Sequence, residues 1–393
     1  MSIGPIGSAG SGSWRRPMRG RDTAERHRAS TSLELLFDLC FVVAIGLAAT
    51  QLSTTIVEGD ARNGVLSYLE VFFAIWWAWM NFSWFASAYD TDDVAYRVMA
   101  LIKISGVLVL AAGVPAVFHD TDLRVVTAGY CIMRLAMVGQ WIRAAVEHPE
   151  GRPAAVRYAA GIFVVQLGWI ARLALPEEWA SWGFLVLVVA ELSVPVWAER
   201  VRGTPWHSGH IAERYGLFTI IVLGEVVLAA TTAVQSALKD TAALDELIIA
   251  AASGLLIVFA MWWLYFDLLA ESPTTGSRGS TTFVWGYAHY FVFASAAAVG
   301  AGLEVIIDMD TGHTHLSAGQ ASAALAVPLA VFLACLWFLR ASFHPGHPFR
   351  HAAILLGAAL VLLTLTTPVP LPLIAGVITL LTVGHVVVRD NGR

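Results

Sequence analysis

The sequence predicts an all-α polytopic membrane protein of about twelve transmembrane helices, and three observations carry that prediction. Of 393 residues, 57% are hydrophobic and 13% charged, with a mean hydropathy of +0.68, whereas soluble domains carry about 25% charged residues. Apolar runs long enough to cross a hydrocarbon core of about 30 Å recur along the whole chain. Basic residues crowd into every second connection between those runs. The net charge of −5 adds little, because placement and not sum sets membrane topology.

The elements follow in order. Residues 1–30 hold Arg15, Arg16, Arg19, Arg21, Arg26 and Arg28 among Gly and Ser. They read as a disordered basic cytoplasmic tail that touches anionic lipid headgroups. The next run is long and carries acids, so it is expected to remain as an uncleaved first span. Apolar runs occupy residues 33–55, 65–88, 97–118, 123–146, 155–175, 180–198, 210–234, 246–270, 282–307, 317–340, 351–367 and 371–388. Twelve spans put both ends on one side. The predicted cytoplasmic segments then hold 17 Lys and Arg residues, against four in the outer loops, Arg62, Arg124, Arg172 and Lys239. That asymmetry predicts cytoplasmic termini.

Several function classes drop out on composition and motif. Cys40, Cys131 and Cys335 lie inside apolar runs with no paired spacing, so they read as small buried hydrophobes rather than disulfides or zinc ligands. No phosphate-binding glycine loop, serine elbow or HExxH helix occurs, which leaves neither ATP-driven transport nor a recognisable hydrolase. Two His-rich stretches, Asp308 to His315 and His344, His347 and His351, lack zinc spacing and read as turns. No metal, cofactor, catalytic residue or nucleic-acid partner is expected. The expected partners are membrane lipids and a small solute or ion.

An internal repeat is expected. Trp76-Trp77-Ala78-Trp79-Met80-Asn81 matches Trp262-Trp263-Leu264-Tyr265-Phe266-Asp267 at an offset of 186 residues, and the same offset sets Lys103 on His289. Setting Glu34 on Glu213 aligns two spans that each run on to Ala-Ala-Thr, at Ala48-Ala49-Thr50 and Ala229-Ala230-Thr231. Two halves, residues 31–200 and 201–393, would each hold six spans and share one orientation, with a site between them. The midspan Trp pairs lie too deep for an interfacial belt and read as packing or cavity lining.

Charges inside hydrocarbon mark the candidate site, because each costs about 2.5–3.5 kcal/mol on insertion scales. Glu34 and Asp38 stand four residues apart, so both face one side of the first span. Asn81, Lys103, Glu213, Asp267 and His289 fall with them in the predicted cytoplasmic half. Read blandly, Glu34 and Glu213 are helix-start acids, Asp38 and Lys103 a structural salt bridge, and His289 a core histidine. Arg134 and Glu225 lie near the midplane and are expected to pair as a lock, a gate or an ion site. Arg214 and Glu225, eleven residues apart, share one stripe. Glu191 lies about two turns from the predicted cytoplasmic end of the sixth span. The candidates for transport or proton coupling are Glu34, Asp38, Lys103, Arg134, Glu213, Arg214, Glu225, Asp267 and His289.

Glu34-Leu35-Leu36-Phe37-Asp38-Leu39-Cys40-Phe41-Val42 resembles the E-L-x-F-D-L-x-F-V opening of the bacterial low-temperature-requirement protein A family. His210-Ile211-Ala212-Glu213-Arg214-Tyr215-Gly216-Leu217-Phe218, continuing to Leu223-Gly224-Glu225, is similar to its second signature, H-x-x-E-R-x-G-L-F followed by L-G-E. The resemblance spans residues 30–388 and implies a multi-pass protein of the bacterial inner membrane, without supplying a reaction or substrate. Cys40 stands where an aliphatic residue is usual, and Val226 where Ser is expected. A fainter similarity, the Phe37-Asp38 step, links the first helix to two-repeat potassium channels of endolysosomal membranes, which carry Arg at the flanking position occupied here by Glu34. Doubled halves with buried acids favour a proton-coupled secondary transporter. The alternatives are an ion channel, an enzyme acting on a lipid with Asp267, His289 and Glu34 as acid–base groups, and a structural role in the membrane.

Overall fold

The computed structural model describes residues 14–23, 25, 29–238, 244–269, 280–343 and 348–390. These form twelve helices and no strand among the described residues: α1 (Ser32–Val57), α2 (Ala61–Tyr89), α3 (Val94–Asp120), α4 (Arg124–Glu147), α5 (Arg152–Arg172), α6 (Glu177–Glu199), α7 (Ser208–Ala237), α8 (Leu244–Leu269), α9 (Ser280–Asp310), α10 (Ala318–Phe343), α11 (Pro348–Leu363) and α12 (Pro370–Asp390). Each coincides with one of the twelve apolar runs. Eleven are long and apolar enough to cross a membrane. The twelfth, α11, has 16 residues, about 24 Å of helix, and runs on into a single 3₁₀ turn, Thr364–Thr366.

Local chemistry sets the helix starts. Thr31 caps α1 through a capping box: its hydroxyl accepts from the Glu34 N–H at 3.3 Å, and the Glu34 carboxylate accepts from the Thr31 N–H at 2.8 Å. Asp93 caps α3 by accepting from the Tyr96 N–H at 2.8 Å, and His207 caps α7 by accepting from the His210 N–H at 3.1 Å.

Packing places α1, α2, α7 and α9 at the centre, where helices of the first six meet helices of the last six. α9 is the most enclosed helix, while α6 shows most of its surface outward. The pairs α1–α2, α1–α3, α3–α4, α4–α5 and α5–α6 recur as α7–α8, α7–α9, α9–α10, α10–α11 and α11–α12. Close crossings depend on small residues. A Cβ on Gly129 of α4 would lie 2.6 Å from the Gly106 carbonyl oxygen of α3, and one on Gly302 of α9 would lie 2.6 Å from Leu325 Cα of α10.

The tryptophan pairs part company. Trp76 and Trp77 are buried, as packing requires, but Trp262 and Trp263 are each 46% exposed. α8 buries one face, where Met261, Leu264 and Tyr265 lie, and these two tryptophans sit on its outward face. The reading of both pairs as interior packing holds for α2 alone.

Residues 14–23 were expected within a disordered tail, of which residues 1–13, 24 and 26–28 lie outside the described residues. They run as a strap across one end of the bundle. Arg15 meets Glu147 at 2.6 Å, and the Met18 N–H donates to the same carboxylate at 2.6 Å. The Arg16 N–H donates to Asp93 at 2.7 Å, Arg143 donates to the Arg16 carbonyl at 2.7 Å, and the Met18 side chain is buried. Acids at the α3 start and α4 end thus give the basic strap its partners. This end of the bundle is called the strap end below.

Asp93 is the hub. Burial opposes its ionisation, yet hydrogen bonds from Arg143 and from the N–H groups of Arg16 and Tyr96 prevail and hold its carboxyl down at about 2. A folded pKa below the ordinary value of about 3.9 stabilises the fold fully above that value and loses the contribution as pH falls toward 2. Asp93→Asn is therefore expected to lower the melting temperature in detergent at pH 7, with the gap to wild type narrowing below pH 4. Trypsin should also cut the strap faster in the variant. A gap that stays constant down to pH 3 would remove the carboxylate from this role.

Candidate functional site

A buried ion pair and a buried Glu–His contact tie α1 to α7. Asp38 and Arg214 meet at 2.5 Å, with 1% and 0% of their side-chain surface exposed. The Trp79 indole N–H of α2 donates to the same Asp38 oxygen at 2.8 Å, and Arg214 also donates to the Ser83 hydroxyl at 3.2 Å. One turn toward the strap end, Glu34 faces His210 at 3.1 Å. Both pairs span 176 positions. A constant difference across two successive rungs requires α1 and α7 to run parallel and in register. Glu34 thus both completes the α1 capping box and contacts His210.

Glu225 lies three turns further along α7 on the same seam. A Cβ on Gly46 of α1 would lie 3.2 Å from its Oε1, and one on Gly300 of α9 would lie 2.9 Å from its carbonyl carbon. Two glycines therefore make room for this residue and its carboxyl. Among the described residues it has no hydrogen-bond or ion-pair partner. Glu304, one turn along α9 from Gly300, is close enough for its charge to act on Glu225, and it accepts from the Ser53 hydroxyl of α1 at 2.8 Å. Asp308, a further turn along α9, acts on Glu304 in the same way. Between Asp38 and Glu225 the seam is closed by Phe41, Phe218 and Val222, all fully buried, with Trp79 stacked on Phe218 at 4.1 Å.

The expected pairing of Arg134 with Glu225 is corrected. Arg134 of α4 meets Glu191 of α6 at 2.5 Å. The same carboxylate accepts from the Trp77 indole at 2.9 Å, the Tyr130 hydroxyl at 2.9 Å and the Trp169 indole at 3.1 Å. Four donors from α2, α4 and α5 thus converge on one acid inside the first six helices, away from α7. Depth placed Arg134 near Glu225, but depth does not specify which helices are neighbours.

The remaining candidates disperse. Lys103 of α3 does not pair with Asp38 either: its ammonium donates to the Gln140 side-chain carbonyl and lies 4.5 Å from the Phe82 ring centre. Glu213 accepts from the Ser30 N–H at 3.1 Å, so it fastens the segment leading into α1 and does not join the buried pairs. Asp267 meets His385 of α12 at 2.8 Å. His289 bonds the Trp285 carbonyl oxygen at 2.8 Å through Nδ1, and its ring lies against Tyr215 and Trp285. Glu34, Asp267 and His289, grouped above as acid–base candidates, each have separate partners. Of the His-rich stretches, His313 lies 3.9 Å from Asp308, while His344 and His347 lie outside the described residues.

The seam uses residues absent from the candidate set: His210, Ser83, Glu304 and, in the separate first-half cluster, Glu191. His210 had a usable signal, since it stands four residues before Arg214 as Glu34 stands four before Asp38. The capping box at Thr31 was also legible as T-x-x-E.

A family model described as bacterial low temperature requirement A protein (LtrA) matches residues 29–387, which include both arms of the seam. The chain belongs to the LtrA family. This LtrA protein is also 25% identical over 329 residues to an uncharacterized protein of Rhizobium meliloti (strain 1021), an alignment covering 79% of this chain and 76% of that one. No solved structure matches it. Family and helices together make it a multi-pass membrane protein.

The Glu191 cluster yields a stability ordering. Arg134→Ala breaks a buried pair, a loss of about 3–5 kcal/mol. Glu191→Ala strands Arg134 and three further donors, each unsatisfied neutral donor costing about 1–3 kcal/mol, so it should destabilise more. Thermal unfolding of the two variants in detergent checks the order, and equal losses would show that Arg134 alone depends on this acid.

Proposed function

We propose that this LtrA protein is a proton-coupled secondary transporter of a small solute in the bacterial inner membrane, with both termini cytoplasmic. The observation that carries the reading is the seam where α1 meets α7 and α9. The Asp38–Arg214 ion pair and the Glu34–His210 contact lie at its strap end, and an acid without an ion-pair partner among the described residues lies deep within it, separated by an apolar plug.

In alternating access a site between two halves opens first to one face and then to the other. The seam has the parts this needs. Glu34–His210 and Asp38–Arg214 join helices from opposite halves, so parting the halves at the strap end must break them. Glu304 and Asp308 lead from Glu225 toward the other end of the bundle and give protons a route of carboxyl groups. Glu225 is placed to take a proton from that side, and Asp38 to compete for Arg214 on the other. A carboxyl whose counter-ion leaves must take up a proton or be re-solvated, which links helix movement to protonation.

The proposed arrangement is two six-helix repeats of like orientation. The recurring order of helix neighbours and the parallel course of α1 and α7 support it. The basic residues of the strap end, with those of the connections beside it, support its assignment to the cytoplasm.

The test uses full-length protein in liposomes carrying an internal pH dye. Solutes chosen by metabolite profiling of a deletion strain are added across an imposed pH gradient. Wild type is expected to couple uptake of one solute to dye response, while Asp38→Asn and Glu225→Gln insert normally and lose the coupling. Normal coupled flux in both variants would remove these residues from the mechanism. Solute-independent, non-saturating conductance would favour a channel.

A further inference from the structure

A cavity of about 270 Å³ opens near the strap end between α2, α4, α5, α6, the loop before α7, and the start of α9. Five of the twelve residues in its walls are aromatic: Trp84, Trp141, Tyr158, Trp206 and Phe283. Trp84 and Trp206 meet edge to face at 4.9 Å, and Trp141 stacks on Tyr158 at 4.1 Å. These contacts fix the rings in two rigid blocks. The charged side chain in this wall is Glu199. Its carboxylate accepts from the Tyr158 hydroxyl at 3.0 Å and from the Thr204 N–H and hydroxyl at 2.8 and 2.7 Å, so it too is held in place. Gly203 lies beside this acid in the cavity wall, at ordinary van der Waals distance for a Cβ (3.4 Å to Glu199 Oε2).

We propose that this cavity binds the head of a monovalent organic cation of the quaternary-ammonium class, with Glu199 as counter-charge and the aromatic rings as its cage. Ring faces attract a cation through their quadrupole. A methylated ammonium has no N–H to satisfy, so an aromatic box with one carboxylate suits it better than it suits a primary amine. The volume falls just below the usual range of about 300–1,000 Å³ for ligand pockets, which fits a compact head group.

The cavity adjoins the α1–α7 seam through one layer of side chains. The Trp84 indole N–H donates to the Tyr215 hydroxyl at 3.2 Å, and Tyr215 follows Arg214 in α7. Binding of the cation rests on the cavity alone. Its role as the transported solute rests on the transporter reading.

The test is isothermal titration calorimetry of the purified full-length protein in detergent with choline and its uncharged carbon isostere, 3,3-dimethylbutan-1-ol. Choline is expected to bind at least about ten-fold more tightly than the isostere, and Glu199→Gln and Trp206→Leu each to weaken it by a similar factor. An isostere that binds as well as choline, or no binding of choline by the wild type, overturns the proposal without recourse to variants. Undiminished binding in both variants also overturns it. Selective choline binding in a protein whose proton coupling survives Asp38→Asn and Glu225→Gln would uphold the cation site while the proposed coupling mechanism fails.

Discussion

An ionised carboxylate buried between helices must meet a cation within hydrogen-bond reach or give up its charge. Asp38 meets that requirement through Arg214 only while α1 and α7 lie side by side, parallel and in register. Glu34 and His210 repeat the demand one turn away. These two rungs fix the relation between the first six helices and the last six more tightly than apolar contact would, since hydrocarbon provides no hydrophobic drive between helices. Trp79 and Ser83 bring α2 into the same network. α9 completes the centre, where Gly300 lets it press against α7 at Glu225.

The two kinds of buried charge differ in what surrounds them. Glu191 accepts four donors from three helices and ties α6 to α2, α4 and α5. The seam pairs instead join opposite sides of an interface and have fewer ties. Glu225 stands in that interface with a glycine opposite its carboxyl and acids beyond it. Among the described residues, Glu191 thus gathers four donors within the first six helices, while Glu225, with no hydrogen-bond or ion-pair partner, lies where the first six helices meet the last six.

Legibility differed by scale. The positions of α1 to α12 were readable to within four residues at each end, and the first and second family signatures marked the seam helices correctly. Glu34, Asp38, Arg214 and Glu225 were recognisable as costly buried charges. Partner choice was not. Arg134 and Glu225 share a depth, yet their helices do not adjoin, and Arg134 turns to Glu191. Trp76 and Trp262 occupy matching places in a sequence alignment, yet one is buried and the other faces outward.

The sequence by itself determined the number, order and approximate bounds of the helices and the family. Hydrocarbon forces each segment to satisfy its own backbone, so helix and span are local properties. It also determined which charges had to find partners. Only the tertiary structure decided the partners, the exposure of Trp262 and Trp263 and the course of the strap, because these depend on the rotation and adjacency of helices. A shift of one residue turns a side chain about 100° around its helix. Glu34 and Asp38 therefore form a site only because α1 presents their common face to His210 and Arg214.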